Sequence, residues 1–298
     1  MADDFSKISF RKMNGCGNDF VIVDSRRMAG FSPFMMPMFV RDVANREAGI
    51  GCDQFILLEE PHKGGDVLMK IYNSDGNPAE ACGNGMRCVA HLEMQEKNRE
   101  RLIVETLWSN SVCEKVGPET VRADMGIPLF KWHEIPLSHE VSDTSRIEFD
   151  DIEGITLPTG CAVNAGNPHI VFFVDDLTFT TLELDRVGPL LEHHRLFPEG
   201  VNVSFAHTRQ EGGVDLKVWE RGAGATQACG TGACATLVAG VRLGLTERKV
   251  CVFLFGGALD IEWRSENNHV LMTGPVAYDY EGQFDWYNTK RQTGESAP

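Results

Sequence analysis

The 298-residue sequence lacks the features that mark three large classes of protein. It contains no apolar run that approaches the roughly 18 residues of a membrane-spanning helix. Lys and Arg number 28 against 43 Asp and Glu, and the net charge of −15 argues against a general nucleic-acid surface. The first residues, Met1–Phe5, are acidic and lack the apolar core of a signal peptide, so secretion is not expected. The charge alone does not identify a partner.

Cysteine is present, but not as the dense framework of a disulfide-bonded secreted domain. The nine cysteines form an odd-numbered, dispersed set, which favours a reducing compartment and therefore a cytoplasmic protein. Cys82 and Cys88 have five residues between them, and Cys229 and Cys234 have four. These gaps lie at or beyond the upper end of the about two to four residues found in common zinc sites. No histidine pair follows at zinc-finger spacing, so no metal is expected.

The dominant feature is a pattern around cysteine that occurs twice, 147 residues apart. In each copy an apolar strand and a turn-rich loop lead to Ala-Cys-Gly-x-Gly at the start of a predicted helix, with Cys82 in the first copy and Cys229 in the second. Three more pairs of segments match in the same order, at offsets of 148 or 149 residues: Gly17–Asp24 with Gly166–Phe173, Gly51–Gln54 with Gly200–Val203, and Val121–Gly126 with Val270–Gly274. A repeat of this length indicates a duplicated domain rather than a solenoid.

Hydrophobic patterning predicts two halves, each with mostly antiparallel strands and two helices. The apolar content of 42% is enough for two cores. In the first half, Ser32-Pro33 begins a helix through Ala48, and a more apolar helix covers Gly85–Asn98. The second half has Thr181–His194 and Gly232–Leu243. Residues from about 284 onward are predicted to be a loose tail. The predicted strands are Lys7–Met13, Phe20–Asp24, Phe55–Glu59, Val67–Asn73, Arg101–Leu107, Ser111–Val116, Thr120–Met125, Ile170–Phe173, Val201–Phe205, Val214–Glu220, Lys249–Phe255, Ala258–Trp263 and His269–Met272.

The position of each repeated cysteine at a helix start is expected to change the pKa of its thiol. A helix N-terminus carries unpaired N–H groups and a partial positive charge, which should lower a thiol pKa from about 8.5 toward about 7 or below. The glycines that follow let backbone N–H groups approach an anion such as a carboxylate. One cysteine of this kind is more often structural, but two in matched repeats predict a pair of acid–base groups facing one substrate. Inversion of a stereocentre needs such a coupled pair, one base on each face of the carbon.

Taken together, the motifs resemble those of the diaminopimelate epimerase family of cofactor-independent amino-acid racemases and epimerases. The resemblance covers essentially the whole chain. Its motifs are Gly-Asn-Asp-Phe at residues 17–20, Asp-Gln at 53–54, Ala-Cys-Gly-Asn-Gly-Met-Arg-Cys at 81–88, Gly-Asn-Pro-His at 166–169 and Glu-Arg-Gly-Ala-Gly at 220–224. The chain departs from many relatives at Ala225, which is a loop position outside the implied contacts.

The resemblance implies both a fold and an activity. The implied fold is α/β (α+β): two pseudo-symmetric domains, each a mostly antiparallel sheet or barrel around a central helix, with the active site in the cleft between them. The expected domains are residues 1–126, to which residues 275–298 return, and residues 127–274. The implied activity is that of an isomerase that interconverts LL- and meso-2,6-diaminopimelate for lysine and peptidoglycan precursors, without a cofactor. A homodimer is typical of the family.

The resemblance also assigns roles to individual residues. Cys82 and Cys229 become the two acid–base thiols, assisted by the side chains of His169 and Glu220. A substrate with two amino and two carboxylate groups needs several polar partners: Arg221 is the fork for the distal carboxylate, and Glu220 can accept from an ammonium group. The implied substrate contacts are Asn18, Gln54, Asn73, Asn167, Asn202, Glu220 and Arg221, with the backbone of Gly83, Asn84, Gly230 and Thr231.

Three other functions stay open on the residues themselves. A two-thiol epimerase of proline-like substrates would have no use for Arg221, Asn167 and Asn202, because its substrate has no second charged end. An isomerase of the same fold that uses a carboxylate is disfavoured by the presence of Cys82 and Cys229. A non-catalytic amino-acid-binding protein would leave these two thiols without a task. Deuterium uptake at Cα from heavy water would distinguish these functions.

Overall fold

The structure is a computed structural model that describes residues 7–28, 36–79, 82–150, 154 and 156–285. The chain groups into two compact units, Met1–Val121 with Pro275–Pro298, and Arg122–Gly274. Each unit has its own set of strands and its own long, buried helix. In the part of the chain that the structure describes, no helix is long and apolar enough to cross a membrane.

The first unit is a sheet in which most neighbouring strands are antiparallel. Its elements are β1 (Lys7–Gly15), β2 (Asn18–Asp24), α1 (Met36–Ala44), β3 (Gln54–Glu59), β4 (Val67–Asn73), β5 (Pro78–Ala79), α2 (Gly83–Lys97), β6 (Arg101–Glu105), β7 (Asn110–Gly117) and, late in the chain, β17 (Ala277–Asp285). Strand β8 (Thr120–Asp124) contains the boundary between the two units at Val121. The strands lie in the order β17-β1-β2-β3-β4-β6-β7, and β5 pairs with β4. The pairs β2–β3 and β4–β6 are parallel, and the others are antiparallel.

The second unit repeats this arrangement. Its elements are β9 (Gly160–Asn164), β10 (Pro168–Phe173), α3 (Asp176–Thr181), α4 (Leu184–Glu192), β11 (Asn202–Thr208), β12 (Val214–Glu220), β13 (Gly224–Thr226), α5 (Gly230–Leu243), β14 (Lys249–Leu254), β15 (Gly257–Trp263) and β16 (Val270–Pro275). Strands β10–β11 and β12–β14 are the parallel pairs, as β2–β3 and β4–β6 are in the first unit. Apart from the additional helix α3, the second unit has the same order of elements and the same pair directions, which confirms the predicted duplication.

The two long helices are buried around their whole circumference. Every residue of α2 from Gly83 to Met94 is buried, and so is every residue of α5 from Gly230 to Gly240. A helix without a solvent face is a core element, so its first turn is held rigidly against the strands of its own unit. The repeated cysteines precede those first turns.

The first helix of each half differs from the prediction. The predicted start at Ser32-Pro33 lies outside the described residues, and α1 ends at Ala44, before the predicted Ala48. Asn45 ends it, because Asn45 Oδ1 accepts hydrogen bonds from the N–H groups of Glu47 (2.8 Å) and Ala48 (2.9 Å) that would otherwise continue the helix. The predicted helix over 181–194 is replaced by α3 and the shorter α4.

Sequence patterning missed strands with little apolar alternation. The late strand β17 pairs with β1 through eight antiparallel partners, but most of its residues are exposed, and the sequence Tyr278-Asp279-Tyr280-Glu281 shows no buried face. Strand β17 extends to Asp285, and the remainder of the predicted tail lies outside the described residues. Strand β9, which the patterning also missed, is short and buried at four of its five positions.

Candidate active site

Both repeated cysteines are N-cap residues of the buried helices. Cys82 Sγ accepts a hydrogen bond from the N–H of Gly85 at 3.3 Å, and Cys229 Sγ accepts one from the N–H of Gly232, also at 3.3 Å. The helices begin at Gly83 and Gly230, two residues earlier than predicted, because each cysteine already has the extended backbone of a cap. The N–H groups of each first turn lack helical partners and point toward the thiol end.

Glycine is required beside each thiol for lack of space. A Cβ at Gly85 would lie 3.4 Å from Cys82 Sγ and 2.8 Å from a methyl group of Ile56. A Cβ at Gly232 would lie 3.3 Å from Cys229 Sγ and 3.2 Å from a methyl group of Val218. The Ala-Cys-Gly-x-Gly pattern thus keeps a backbone N–H group close to each sulfur.

Cys229 is a protonated thiol at neutral pH, so the prediction of a lowered pKa is wrong for this residue. Burial raises the pKa of Cys229 well above its ordinary value, and the negative charge of Glu220 raises it further. Hydrogen bonds from the hydroxyl of Thr231 and the N–H of Gly232 favour the thiolate without offsetting those effects. The residue is only 3% exposed. The helix terminus is therefore not the only influence on the pKa of the Cys229 thiol.

The end of β12 supplies charged groups beside Cys229. Glu220 Oε1 accepts a hydrogen bond from the Thr226 hydroxyl at 2.5 Å, across the β12–β13 hairpin. The next residue, Arg221, donates its backbone N–H to Asn202 Oδ1 at 2.9 Å and Nη1 to the Glu199 carbonyl at 3.2 Å. Thr226 has no predicted role. The hairpin register pairs it with Val218, so its side chain reaches Glu220 diagonally on the same face of the hairpin.

A hydrogen bond joins the predicted contact residue Asn167 to His169, which is predicted to assist the chemistry. His169 is fully buried, and its Nε2 lies 2.7 Å from Asn167 Oδ1. Burial lowers the pKa of His169 to about 3, and the positive charge of Arg221 adds to this effect. The imidazole is therefore neutral, and because Asn167 Oδ1 can only accept, Nε2 carries the proton and donates it. The other ring nitrogen, Nδ1, has no hydrogen-bond partner among the described residues.

In the second unit, Asn202 has a structural task. Its Nδ2 donates to the Pro168 carbonyl at 2.8 Å, its Oδ1 accepts from the Arg221 N–H, and it is 2% exposed. The amide thus links β10, β11 and the end of β12. The predicted contact of Asn202 with substrate stays a prediction.

The first unit places amide side chains, rather than charges, around its helix start. Asn84 Nδ2 donates to Asn18 Oδ1 at 2.7 Å, and Gln54 Nε2 donates to Asn73 Oδ1 at 3.0 Å. Asn84 is 2% exposed, and its Oδ1 has no partner among the described residues. The four amides keep some hydrogen-bonding capacity, which suits a ligand with both ammonium and carboxylate groups.

A charged network missed by sequence reasoning lies behind these amides. Asp53 Oδ2 accepts from Asn18 Nδ2 at 3.3 Å, and Asp53 Oδ1 pairs with Arg46 at 2.7 Å. Arg46 and the buried Lys12 both bind Asp19, at 2.8 Å and 2.5 Å. Burial would raise the pKa of Asp19, but the hydrogen bonds from Arg46 and Lys12 outweigh it and lower the pKa. Asp19 and Asp53 lie inside the motifs that carried the resemblance, which is the one signal that could have indicated them.

The predicted residues thus form two groups, each within its own unit. The first unit holds Asn18, Gln54, Asn73, Cys82, Gly83 and Asn84, and the second holds Asn167, His169, Asn202, Glu220, Arg221, Cys229, Gly230 and Thr231. Burial raises the pKa of other thiols, to about 12 for Cys52 and Cys88 and about 11 for Cys161. Over the described ranges, no group of three or more His, Cys, Asp or Glu side chains is arranged to hold a metal ion.

Comparison with known proteins identifies a family whose model matches this chain. The diaminopimelate epimerase family model matches residues 10–130 and 161–278. The chain is 46% identical over 284 residues to a diaminopimelate epimerase of Caulobacter vibrioides (strain NA1000 / CB15N), covering 92% of this chain and 96% of that protein. It is 46% identical over 283 residues to a diaminopimelate epimerase of Erythrobacter litoralis (strain HTCC2594), covering 94% and 98%. These similarities confirm the resemblance found in the motifs.

Solved structures agree with the fold. A hydroxyproline epimerase from Agrobacterium vitis superposes with a TM-score of 0.67 at 13% identity, over 95% of this chain and 94% of that one. A phenazine biosynthesis protein of the PhzF family from Bacillus anthracis gives 0.65 at 13% identity, over 93% and 98%. At this identity the likeness concerns the fold alone, and it confirms the predicted fold class.

Proposed function

Because this chain belongs to the diaminopimelate epimerase family, it is an isomerase that interconverts LL- and meso-2,6-diaminopimelate, and we propose which residues carry out the reaction. Cys82 and Cys229 are the two bases, one for each face of the reacting Cα. The observation that carries this proposal is the duplicated N-cap thiol: both sulfurs accept a backbone N–H at the start of a helix buried in the core. One thiol removes the Cα proton while the other delivers a proton to the opposite face.

The resting state of Cys229 sets the roles in the first half of the reaction. A protonated Cys229 is a ready acid, so Cys82 removes the Cα proton when the substrate presents that face. In the opposite direction Cys229 must first lose its proton, and the Glu220 carboxylate, whose negative charge acts on the thiol, is the group proposed to take it. Thr226 holds Glu220 in position through a hydrogen bond to the same carboxylate.

The helix starts stabilise the charge that develops on the substrate. Loss of the Cα proton shifts negative charge onto the adjacent carboxylate, and the first-turn N–H groups of Gly83, Asn84, Gly230 and Thr231 are fixed donors for it. Donors that are already oriented stabilise the transition state without reorganisation, which supports catalysis without an electron-withdrawing cofactor.

The polar side chains recognise the remaining groups of the substrate. Arg221 binds the distal carboxylate through its guanidinium fork, and Asn167 offers its Nδ2 because His169 occupies its Oδ1. Asn18, Gln54 and Asn73, with Asn202 and Glu220, complete the set that the family resemblance implies. We further propose a cytoplasmic homodimer, because the reacting thiols need a reducing compartment and a homodimer is typical of the family that the motifs resemble.

Deuterium incorporation tests the proposal. The wild-type protein, incubated with LL- or meso-diaminopimelate in heavy water, should place deuterium at the reacting Cα and interconvert the isomers. Cys82→Ala and Cys229→Ala should each abolish epimerisation, while Cys161→Ala, a buried thiol in β9, serves as the matched control and should remain active. Near-normal epimerisation by either N-cap variant would contradict the two-base assignment.

A further inference from the structure

A buried carboxylate on α4 holds the turn that follows β12. We propose that Glu192 is a positioning residue that fixes Glu220 and Arg221 in their working geometry, a role that rests on the proposed function of those two residues. Glu192 is 6% exposed and is the last residue of its helix. It does not belong to the motifs that carry the family resemblance, and nothing in the periodicity of its helix distinguishes it.

The contacts of Glu192 lie on both sides of the functional pair. Its Oε2 accepts a hydrogen bond from the indole Nε1 of Trp219 at 2.7 Å, and its Oε1 accepts one from the backbone N–H of Gly222 at 2.8 Å. Trp219 immediately precedes Glu220, and Gly222 immediately follows Arg221. One carboxylate thus fixes the residue before the pair and the residue after it.

Packing between α4 and β12 makes this arrangement rigid. A Cβ at Gly188 would lie 2.4 Å from the ring of Trp219, so the indole lies flat against the helix backbone. The stem of Arg221 similarly lies against the backbone of Gly200, where a Cβ would be 3.1 Å from Arg221 Cδ. The backbone N–H of Arg221 is bound to Asn202 and its Nη1 to the Glu199 carbonyl, so residues 219–222 have at least four hydrogen bonds to groups outside the hairpin.

The first unit shows that the fold itself does not need this carboxylate. Helices α1 and α4 both have nine residues and occupy the same place in the duplicated order, and their last residues are Ala44 and Glu192. The strand ends that correspond carry Asn73-Ser74 in the first unit and Glu220-Arg221 in the second. The buried acceptor therefore occurs in the half whose turn carries charged groups, as expected for a residue that positions those groups.

The chemistry of a carboxylate explains why Glu suits this place. Both of its oxygens only accept, so it can satisfy two N–H donors at once. Glutamine has the same shape, but its NH2 group would face one of the two N–H donors, so that one hydrogen bond is lost and two donors meet. Glu192→Gln therefore loosens one side of the turn while changing little of the packing.

The kinetic test uses Glu192→Gln in the full-length protein. We expect kcat/KM for LL-diaminopimelate to fall by about 10- to 100-fold, as for other small displacements of positioned groups. Glu183→Gln is the matched control, because Glu183 flanks the other end of α4 with an exposed side chain and makes no capping hydrogen bond. This control should keep its kcat/KM.

A double-variant comparison separates positioning from a general structural role. If Glu192 acts through Arg221, Glu192→Gln should lower kcat/KM much less in an Arg221→Met background. The double variant should then have a kcat/KM within about twofold of that of Arg221→Met alone. If Glu192 acts through Glu220, the loss should shrink in a Glu220→Gln background instead. An undiminished loss in both the Arg221→Met and the Glu220→Gln backgrounds would overturn the proposal, and so would unchanged kcat/KM in the single variant. If Glu192→Gln does not fold, Trp219→Phe replaces it in the test, because this substitution removes one of the two N–H donors to Glu192. Its effect on kcat/KM is compared in the same backgrounds.

A spectroscopic readout needs no substrate. In a 15N spectrum the indole N–H of Trp219 should shift and exchange faster with water in Glu192→Gln, and the amide of Gly222 should do the same. Because this measurement is independent of turnover, it tests the contacts even if the wild-type protein fails to epimerise diaminopimelate, which would contradict only the proposed function. Unchanged indole and amide signals would overturn the inference.

Discussion

His169 makes the stability of the second unit sensitive to acid. Its imidazole is fully buried, with Nε2 bound to Asn167 and Nδ1 lacking a partner among the described residues, so protonation would place a charge in the core. Burial, with help from the charge of Arg221, lowers the pKa of His169 to about 3. In the unfolded chain the same group has a pKa of about 6.5.

The sign and size of the effect follow from these two values. Between pH about 6.5 and about 3 the unfolded chain binds a proton that the folded protein does not, so the free energy of unfolding falls as the pH falls. The contribution is fully present above about pH 6.5 and is lost at about 1.4 kcal/mol per pH unit below it. From about pH 7 to about pH 5, His169 should therefore remove about 2 kcal/mol of stability.

His169→Gln tests this reasoning, because glutamine can still donate to Asn167 but does not titrate. Urea unfolding of both proteins at about pH 8 gives the cost of the substitution itself, and repetition down to about pH 5 gives the pH dependence. Burial also lowers the pKa of His91 and His194, which adds acid sensitivity to both proteins equally and cancels in the difference. The variant should lose about 2 kcal/mol less than wild type over this range. Parallel pH profiles would refute the buried, neutral imidazole.

Three further results are expected. Glu220→Gln should lower the pKa of Cys229, because the carboxylate charge is one of the causes that raise it; 13C spectra of labelled cysteine would show this, and an unchanged titration would contradict it. Arg221→Met should weaken binding of LL-diaminopimelate by about 2–5 kcal/mol through loss of the distal ion pair, measured by calorimetry, with unchanged affinity as the contrary result. Dialysis against a chelator should leave activity intact, and a loss reversed only by added metal would disprove metal independence.

The positions of the thiols could be predicted because they depend on local sequence. An N-cap, the glycines after it and a buried helix are encoded within about one helical turn of each cysteine, and the duplication doubles the signal. The predicted helix starts are two residues too late for a local reason as well. Cysteine is not among the common capping residues, so the sequence does not mark Gly83 and Gly230 as helical.

The electrostatics of the thiols could not be predicted in the same way. Proximity to a helix terminus favours a lowered pKa, but the pKa of Cys229 depends on burial and on the negative charge of Glu220. The end of α1 likewise depends on whether the Asn45 side chain competes with the backbone. The pKa of Cys229 and the end of α1 both depend on side-chain interactions that hydrophobic periodicity does not predict.

The two units share the backbone structure around the repeated cysteine but differ in the charged side chains near it. In the first unit, amides lie next to the helix start, and charged groups such as Asp53 stand one layer behind them. In the second unit, the negative charge of Glu220 acts on the Cys229 thiol, and the positive charge of Arg221 acts on His169. A carboxylate beside a buried thiol keeps that thiol protonated, so the two sulfurs start from different environments although their backbones match. A two-base reaction needs one thiol protonated while the other is ionised, and unequal surroundings favour one of these two arrangements in the resting protein.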